Sequence, residues 1–580
     1  METNRLKRFA TEARNILMQG VIHRFTALGF RADGTPVEEP QLLGGGATFM
    51  GDTVTEDFYH KWQSLAAAIR RHGLKDVAEE AAYTWFNRLM AIRIMTKNGL
   101  IPPVLQYESP GVYVPLIVSE ARQGRLPQMN EEERSRLMPL LDDDSRTAEQ
   151  FSLLIVAFCH ATPILHRCFG HIADYTELLL PANILAEGGF VDLINHTDFI
   201  AEEDYRSSEL IGWLYQFYIA EKKDEVFAAK GKFTASEIPA ATQIFTPNWI
   251  VKYMVQNTVG RIYLDNNPYE TEVAQDWKYL VNPSEPTSDD RILRYDDLTE
   301  LRLADLACGS GHILGEMFDM LYTLYINEGY SRREAIENIF RRNLTGIDID
   351  TRAKQLAQFA LLLKACQKDA SFADCHCMPR VLDMPQPYPY KEHLTRALAD
   401  YIMADNGEAI AELADAVCLM DEADNLGSIM KFDLSERTRN ILAIRTEEYE
   451  QQTMPSESIS GLLPYMRIIL ALTEQYHALV MNPPYMGKNN MNDTMLSYVK
   501  SNYNLTANDL GAIFMDVAYK LLETNGRFGM INQAAWFFKP AYKDYRKEII
   551  ENGNYNIESA LYLGARAFDE IKGEVVQTIT

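Results

Sequence analysis

The sequence predicts an α/β protein in which a sheet domain follows a large, mainly α-helical one. Three stretches carry that prediction. Leu303 to Leu314 reads as strand, glycine turn and helix. Asn343 to Asp350 reads as a second strand ending in acid. Ala478 to Met481 is a short apolar run, the pattern of a buried strand, and it stops at Asn482-Pro483-Pro484-Tyr485. Two prolines in succession can neither continue a strand ladder nor enter a helix interior.

In chain order, residues 1–235 form the helical domain, with apolar positions at helical spacing around Trp85, Leu89, Ile92 and Ile94. Cys159, His160, His166, Cys168 and His171 invite a zinc site, but their spacing matches no regular finger and their neighbours Leu153 to Val156 read as helical core. Cys375-His376-Cys377 is too tight for one tetrahedral site, so no metal is expected. Asp204 with Glu221 and Lys223 formally matches an acid…E-x-K nuclease pattern. Such sites lie on strands, whereas Leu214 to Ala229 reads as an amphipathic helix. Asn282 to Pro286 is a loop. The sheet domain occupies residues 236–580, and the long interval before Asn482 predicts a helical insertion over about 384–475.

The turns at the strand ends carry the chemistry. Gly309 and Gly311 permit tight backbone geometry and close approach to a ligand, and the following helix points its free N–H groups at the turn. Gly309, Gly311 and Gly315 are spaced one residue too long for a dinucleotide fingerprint. The small run Ala307-Cys308-Gly309-Ser310-Gly311 suits S-adenosylmethionine better than a pyrophosphate. Asp305, at the strand end, is placed to hold an ammonium group. Asp348, with Ile349 beside it, is read as a ribose ligand, and Asp350 as the cap of the next helix. A third acidic contact is sought in Asp383 or in Asp424, either of which also suits a helix cap. At Asn482, the side-chain carbonyl and the first backbone carbonyls are fixed acceptors beside the Tyr485 ring, which suits a flat exocyclic amine such as adenine N6.

Composition bounds the rest. At 580 residues and 47% hydrophobic, several domains with substantial cores are expected. Seven cysteines form no disulfide framework, there is no signal peptide or membrane-length apolar run, and a cytoplasmic location is the simplest reading. No Walker-type phosphate loop occurs. The net charge of −25 runs against nucleic-acid binding, although a local basic cleft is compatible with it. Lys539, Lys543, Arg546 and Lys547, with Tyr542 and Tyr545 interleaved, predict one cationic helix face; an ordinary solvated face is the alternative. Glu574 to Thr580 reads as a strand without a terminating turn, so further sequence is expected beyond 580.

The turn motif, Gly346-Ile347-Asp348-Ile349-Asp350 and Asn482 to Tyr485, in that order, resemble DNA adenine-N6 methyltransferases of the gamma arrangement. Gln243 to Val251 resembles their motif ahead of the sheet, with Thr246 as the residue matching a contact to the methionine end of the cofactor. Ala82 to Leu89, Ile211 to Tyr218 and Ile238 to Thr242 further resemble the PglX methyltransferases of type 1 BREX phage-defence systems. The resemblance implies a Rossmann-like S-adenosylmethionine-dependent sheet and a target-recognition domain after residue 580. It implies double-stranded DNA as substrate, with the adenine rotated out of the stack. Phe568 aligns with the family's second base-stacking aromatic, core packing being equally compatible. Other BREX proteins, and an acidic DNA-mimicking phage inhibitor, are the implied partners. A type IIG restriction–modification enzyme, a methyltransferase of another substrate and a non-catalytic cofactor-binding scaffold are the competing readings.

Overall fold

The computed structural model describes residues 2–109, 111–170, 172, 174–196, 198–229, 231–283, 285–374, 377–403, 406–452, 456–551, 555–564, 567–568 and 577–580. The chain divides into two compact units, Met1–Tyr218 with Ala370–His376, and Ile219–Asp369 with Cys377–Thr580.

The first unit is built from helices, the longest being Thr3–Ala27, Glu56–His72, Leu74–Lys97 and Thr147–Ala161. Trp85, Leu89, Ile92 and Ile94 all lie inside Leu74–Lys97 and are buried. Thr55 caps the Glu56–His72 helix by accepting from the Phe58 N–H at 3.1 Å. Trp62 in that helix stacks on Phe30 at 5.0 Å between centroids. Its indole N–H donates to the Leu28 carbonyl at 2.9 Å, which removes the cost of burying the polar edge. The unit also holds a small antiparallel sheet, β1 (Gln41–Leu43), β2 (Gly46–Phe49) and β3 (Asp52–Val54), which the helical reading of residues 1–235 did not include. Cys159 and Cys168 are buried on their helices. Among the described residues no three His, Cys, Asp or Glu side chains are placed to hold a metal; His171, Cys375 and His376 lie outside those residues.

The second unit is a mixed α/β body around a five-stranded parallel sheet. Its strands are β4 (Leu303–Asp305), β5 (Leu344–Asp348), β6 (Val381–Asp383), β7 (Tyr476–Met481) and β8 (Leu522–Met530), in the order β6-β5-β4-β7-β8. All six residues of β7 are buried, as expected for a central strand covered on both faces. The chain runs outward from β4 to β6, then returns past β4 to lay down β7 and β8. The order therefore reverses between β4 and β7, and in open α/β sheets the ligand crevice lies beyond the strand ends at such a reversal. Between β6 and β7 the chain is mainly helical, with Leu394–Ile402, Gly407–Leu419, Glu436–Glu450 and Glu457–Ala471 packed through Leu398, Tyr401, Leu413, Leu442 and Met466. Beyond β8, β9 (Asn532–Gln533), β10 (Tyr562–Gly564) and β11 (Thr578–Ile579) form a small antiparallel sheet in the order β10-β11-β9. The expected strand over 574–580 is thus seen at Thr578–Ile579, while residues 574–576 lie outside the described ones.

No single helix among the described residues is long and apolar enough to cross a membrane. Glu221 and Lys223 sit on the Ala220–Ala228 helix, and Lys223 Nζ donates to the Gln243 carbonyl at 2.6 Å.

Candidate active site

One cavity opens at the reversal of the sheet. It is lined by Gln243 to Thr246, by Asp305 to Ser310 after β4, by His312 and Ile313, by Asp348 and Ile349 at the end of β5, by Asn425 to Ile429, and by Asn482 and Pro484 after β7. The expected residues Thr246, Asp305, Ala307, Cys308, Gly309, Ser310, Asp348, Ile349, Asn482 and Pro484 therefore share one space. Gly311 does not line it. It takes φ +81° at the start of the His312–Asn327 helix, where an added Cβ would lie 2.8 Å from the Ala357 Cβ. That contact accounts for the glycine by packing between two helices. Gly309, at φ +52°, faces Gln243 instead, with 3.3 Å between a built Cβ and Nε2.

The turn is braced from β5. Asp348 accepts the Gly309 N–H at 2.8 Å and the Asp350 N–H at 2.9 Å. Asp350 caps the Thr351–Lys368 helix by accepting the Arg352 N–H at 2.9 Å, as its position predicts. Asp305 is 1% exposed and accepts the Ala307 N–H at 3.1 Å through Oδ1. Its Oδ2 is buried without a hydrogen-bond partner. Burial, and then the neighbouring Asp348, hold the Asp305 carboxyl well above the usual carboxylate range. Burial likewise pushes Asp348 up to about 6, with Asp350 adding to it. The Cys308 thiol is raised by burial and by both carboxylates.

Asn482 follows the last residue of β7. Its Nδ2 donates to Thr246 Oγ1 at 3.0 Å and to the Ile244 carbonyl at 3.4 Å. Its Oδ1 is buried and has no partner. Pro483 is buried, and Tyr485 donates its hydroxyl to the Ile531 carbonyl at 3.2 Å. The Tyr485 ring meets Phe568 edge-to-face at 6.3 Å, which brings the two expected aromatics together; Phe568 is itself buried. Arg566 and Asp569 beside it lie outside the described residues.

A third unpartnered atom was not foreseen. His312 Nε2 is buried in the same cavity without a partner, and the imidazole stacks on Phe245 at 4.4 Å. Burial, with Lys364 and Lys252 adding, pushes it down to about 3, so the ring is neutral at ordinary pH. The signal available in the sequence was its place as first residue of a helix opening behind a glycine turn.

The acidic contact sought after the third strand is absent from the cavity lining. Asp383 ends β6, but its carboxylate pairs with Lys354 at 2.8 Å. Asp424 points outward from the short Ala423–Leu426 helix and is exposed. The cavity wall there is Asn425 to Ile429, with Asn425 and Asn492 exchanging amide hydrogen bonds at 2.7 and 3.2 Å.

The cationic stripe is corrected in part. Lys539 and Lys543 are exposed, but Pro540 starts a separate turn, so Lys539 and Lys543 do not share one continuous helix. Arg546 donates to the Trp536 and Lys539 carbonyls, both at 2.8 Å, which turns that nitrogen inward. Tyr542 and Tyr545 are buried and interleave nothing at the surface.

The chain is similar in sequence to known methyltransferases. Residues 342–568 match the model of the Eco57I restriction-modification methylase family. The adenine-specific methyltransferase BrxX of Escherichia coli O9:H4 (strain HS) is 33% identical over 621 residues, covering 100% of this chain and 50% of its own length. The adenine-specific methyltransferase PglX of Lacticaseibacillus casei (strain Zhang) is 33% identical over 623 residues, with the same coverage of each chain. The chain spans about half the length of the curated relatives it matches. Among solved structures, the DrdV–DNA complex superposes with a TM-score of 0.45 at 12% identity, covering 99% of this chain and 41% of that one.

Proposed function

We propose that this chain, 33% identical along its whole length to adenine-specific methyltransferases of the PglX type, carries the donor pocket and amine acceptor of an S-adenosylmethionine-dependent adenine-N6 DNA methyltransferase. The observation that supports this most is the convergence of Asp305 Oδ2, His312 Nε2 and Asn482 Oδ1, three buried and unpartnered polar atoms, on one cavity. Buried polar atoms without partners are costly, so three around one space mark groups that a ligand satisfies.

The residues fit that cofactor. Asp305 Oδ2 suits the ammonium of its amino-acid end, Asp348 and Ile349 its ribose, and the Ala307-to-Ser310 turn its close approach. Thr246 completes that pocket. When bound, S-adenosylmethionine supplies a methyl group on a positively charged sulfur that is a good leaving group. Asn482 Oδ1 and the Pro483 carbonyl would accept the two hydrogens of N6. Accepting them turns the nitrogen lone pair out of conjugation with the ring. Catalysis of this kind is orientation and acceptor placement, without metal in the chain's own steps. Tyr485 and Phe568 would face the extruded base, with Lys539 and Lys543 toward the DNA backbone and Arg546 a weaker contributor.

On this reading the sheet is Rossmann-like, residues 1–235 are a helical accessory domain and residues 236–580 the catalytic one. The setting is marking of host DNA in the cytoplasm within a BREX system, alongside other BREX proteins and open to an acidic phage DNA mimic.

The test is calorimetric titration of S-adenosylmethionine into this chain and an Asp305→Ala, Asp348→Ala double variant. Binding by the parent, lost in the variant, is expected. Equal binding by both would remove the donor pocket from this cavity.

A further inference from the structure

We infer that Thr246 is a positioning residue for the acceptor: with the Ile244 carbonyl, its hydroxyl locks the Asn482 amide so that Oδ1 faces the incoming amine. The inference rests on the reading of Asn482 given above and adds a role to Thr246 beyond lining the donor pocket.

An amide has two nearly isosteric ends of opposite hydrogen-bonding sense. Asn482 works as an acceptor only with its oxygen toward the cavity. Turned about its last side-chain bond, it would present N–H to an amine that must itself donate. Something must therefore break the symmetry. A threonine hydroxyl cannot do so alone, because it both donates and accepts. The Ile244 carbonyl is an acceptor only, and it lies 3.4 Å from Nδ2. With the amide end so chosen, Thr246 Oγ1 at 3.0 Å supplies the shorter second anchor. Asn482 Oδ1 is then the end left buried and unpartnered.

The anchors are themselves held. Thr246 is 4% exposed, so its hydroxyl is screened from competing water. Phe245, between the two anchors, stacks on His312 at 4.4 Å. Lys223 Nζ holds the preceding Gln243 carbonyl at 2.6 Å. The segment from Gln243 to Thr246 is thus a strap, tied at both ends, that sets the sense of the amide across the cavity.

The experiment compares two donor-site ligands on the full chain by calorimetry. S-adenosylhomocysteine lacks any group reaching toward the acceptor. Sinefungin carries an amine where the transferable methyl stands, and so probes Asn482 Oδ1. Replacing Thr246 by valine keeps the shape and removes the hydroxyl. We expect Thr246→Val to weaken sinefungin about tenfold more than S-adenosylhomocysteine, whatever both ligands lose at the donor pocket, tenfold being the scale of one buried hydrogen bond. Thr246→Ser should restore the preference. In an Asn482→Ala background, where the preference is already gone, Thr246→Val should change nothing further. Equal weakening of both ligands by Thr246→Val, or an unchanged preference, overturns the inference while the donor pocket stands. If the parent chain binds neither ligand, the donor-pocket reading fails, and this inference with it.

Discussion

At the scale of single residues, the site is defined by what its polar atoms lack. Asn482 Oδ1 and Asp305 Oδ2 are both buried without partners, yet they call for opposite ligand groups in one respect. A neutral amide oxygen accepts from a neutral amine. A carboxylate oxygen is satisfied best by a cation. Asn482→Ala should therefore lower methyl transfer at least about 100-fold, by analogy with loss of one preorganised polar group, and leave donor affinity nearly unchanged. Radiolabelled transfer and calorimetry read the two separately; normal turnover by that variant would remove Asn482 from the chemistry. For Asp305 the expectation is a pH dependence. Its carboxyl is held well above the usual range by burial first and Asp348 second. A cationic ligand binds the ionised form, so donor affinity should rise with pH until that raised value is passed, with proton release on binding below it. Titrations in two buffers of different ionisation enthalpy detect the released proton, and Asp305→Asn should abolish both the release and most of the affinity. Both residues were legible in the sequence because each stands at the end of a strand. His312 was not, because a histidine opening a helix has no special pattern. Asp383 misled because its charge is answered by Lys354, a residue 29 positions away that no local pattern connects to it.

At the scale of elements, the sheet was legible wherever an apolar run met a strong stop. β4 ends at Asp305 before the glycine turn, β5 at Asp348 before a capped helix, and β7 at Met481 before Asn-Pro-Pro. β1 to β3 escaped notice because three- and four-residue strands are too short to show alternation. The cationic stripe failed for a different reason. Helical spacing from Lys539 to Lys547 is arithmetic only, and Pro540 places a turn inside it. Gly311 gives the sharpest test at this scale. Its φ of +81° strains any other residue, and a Cβ would lie 2.8 Å from that of Ala357. Gly311→Ala combines both penalties, so it should cost about 2–6 kcal/mol of stability, the sum of backbone strain and overpacking. Donor affinity should fall with it, since the helix start carries His312. A Gly315→Ala variant separates the effects. There the close atoms belong to the Lys364 side chain, at 2.9 Å from a built Cβ, and a flexible lysine can move aside. Urea unfolding should show Gly315→Ala close to the parent and Gly311→Ala well below it; equal stability of the two would contradict the packing account.

At the scale of the whole molecule, burial makes the interior carboxylates of this acidic chain, net charge −25, expensive to ionise. Asp348 and Asp509 are each pushed up to about 6, by burial above all, and Asp305 is raised as well. A group whose value is higher folded than unfolded binds more protons in the folded state. Its contribution to stability is complete below the unfolded carboxylate range and is lost as pH rises through the folded value. The ligand-free protein should accordingly be more stable near pH 5 than near pH 8 on this account. Asp509 isolates the effect from the cavity, which it does not line. It caps the Leu510–Leu521 helix by accepting the Gly511 N–H at 2.9 Å, a role asparagine fills as well. Asp509→Asn should therefore stabilise that helix by about 1–3 kcal/mol at pH 8 and by roughly half as much at pH 5, where the unfolded carboxyl is already ionised. The upper figure is the free energy of ionising, in the folded protein, a carboxyl raised from its ordinary range to about 6. Amide hydrogen exchange along Leu510–Leu521 at the two pH values measures this locally. Adding S-adenosylmethionine should act in the same direction through Asp305, protecting the β4 turn more at pH 8 than at pH 5, because burial raises that carboxyl and the cation favours its ionised form, whose share grows with pH. Protection that is equal at both pH values would separate ligand binding from the Asp305 charge and return that carboxylate to a structural role in the turn.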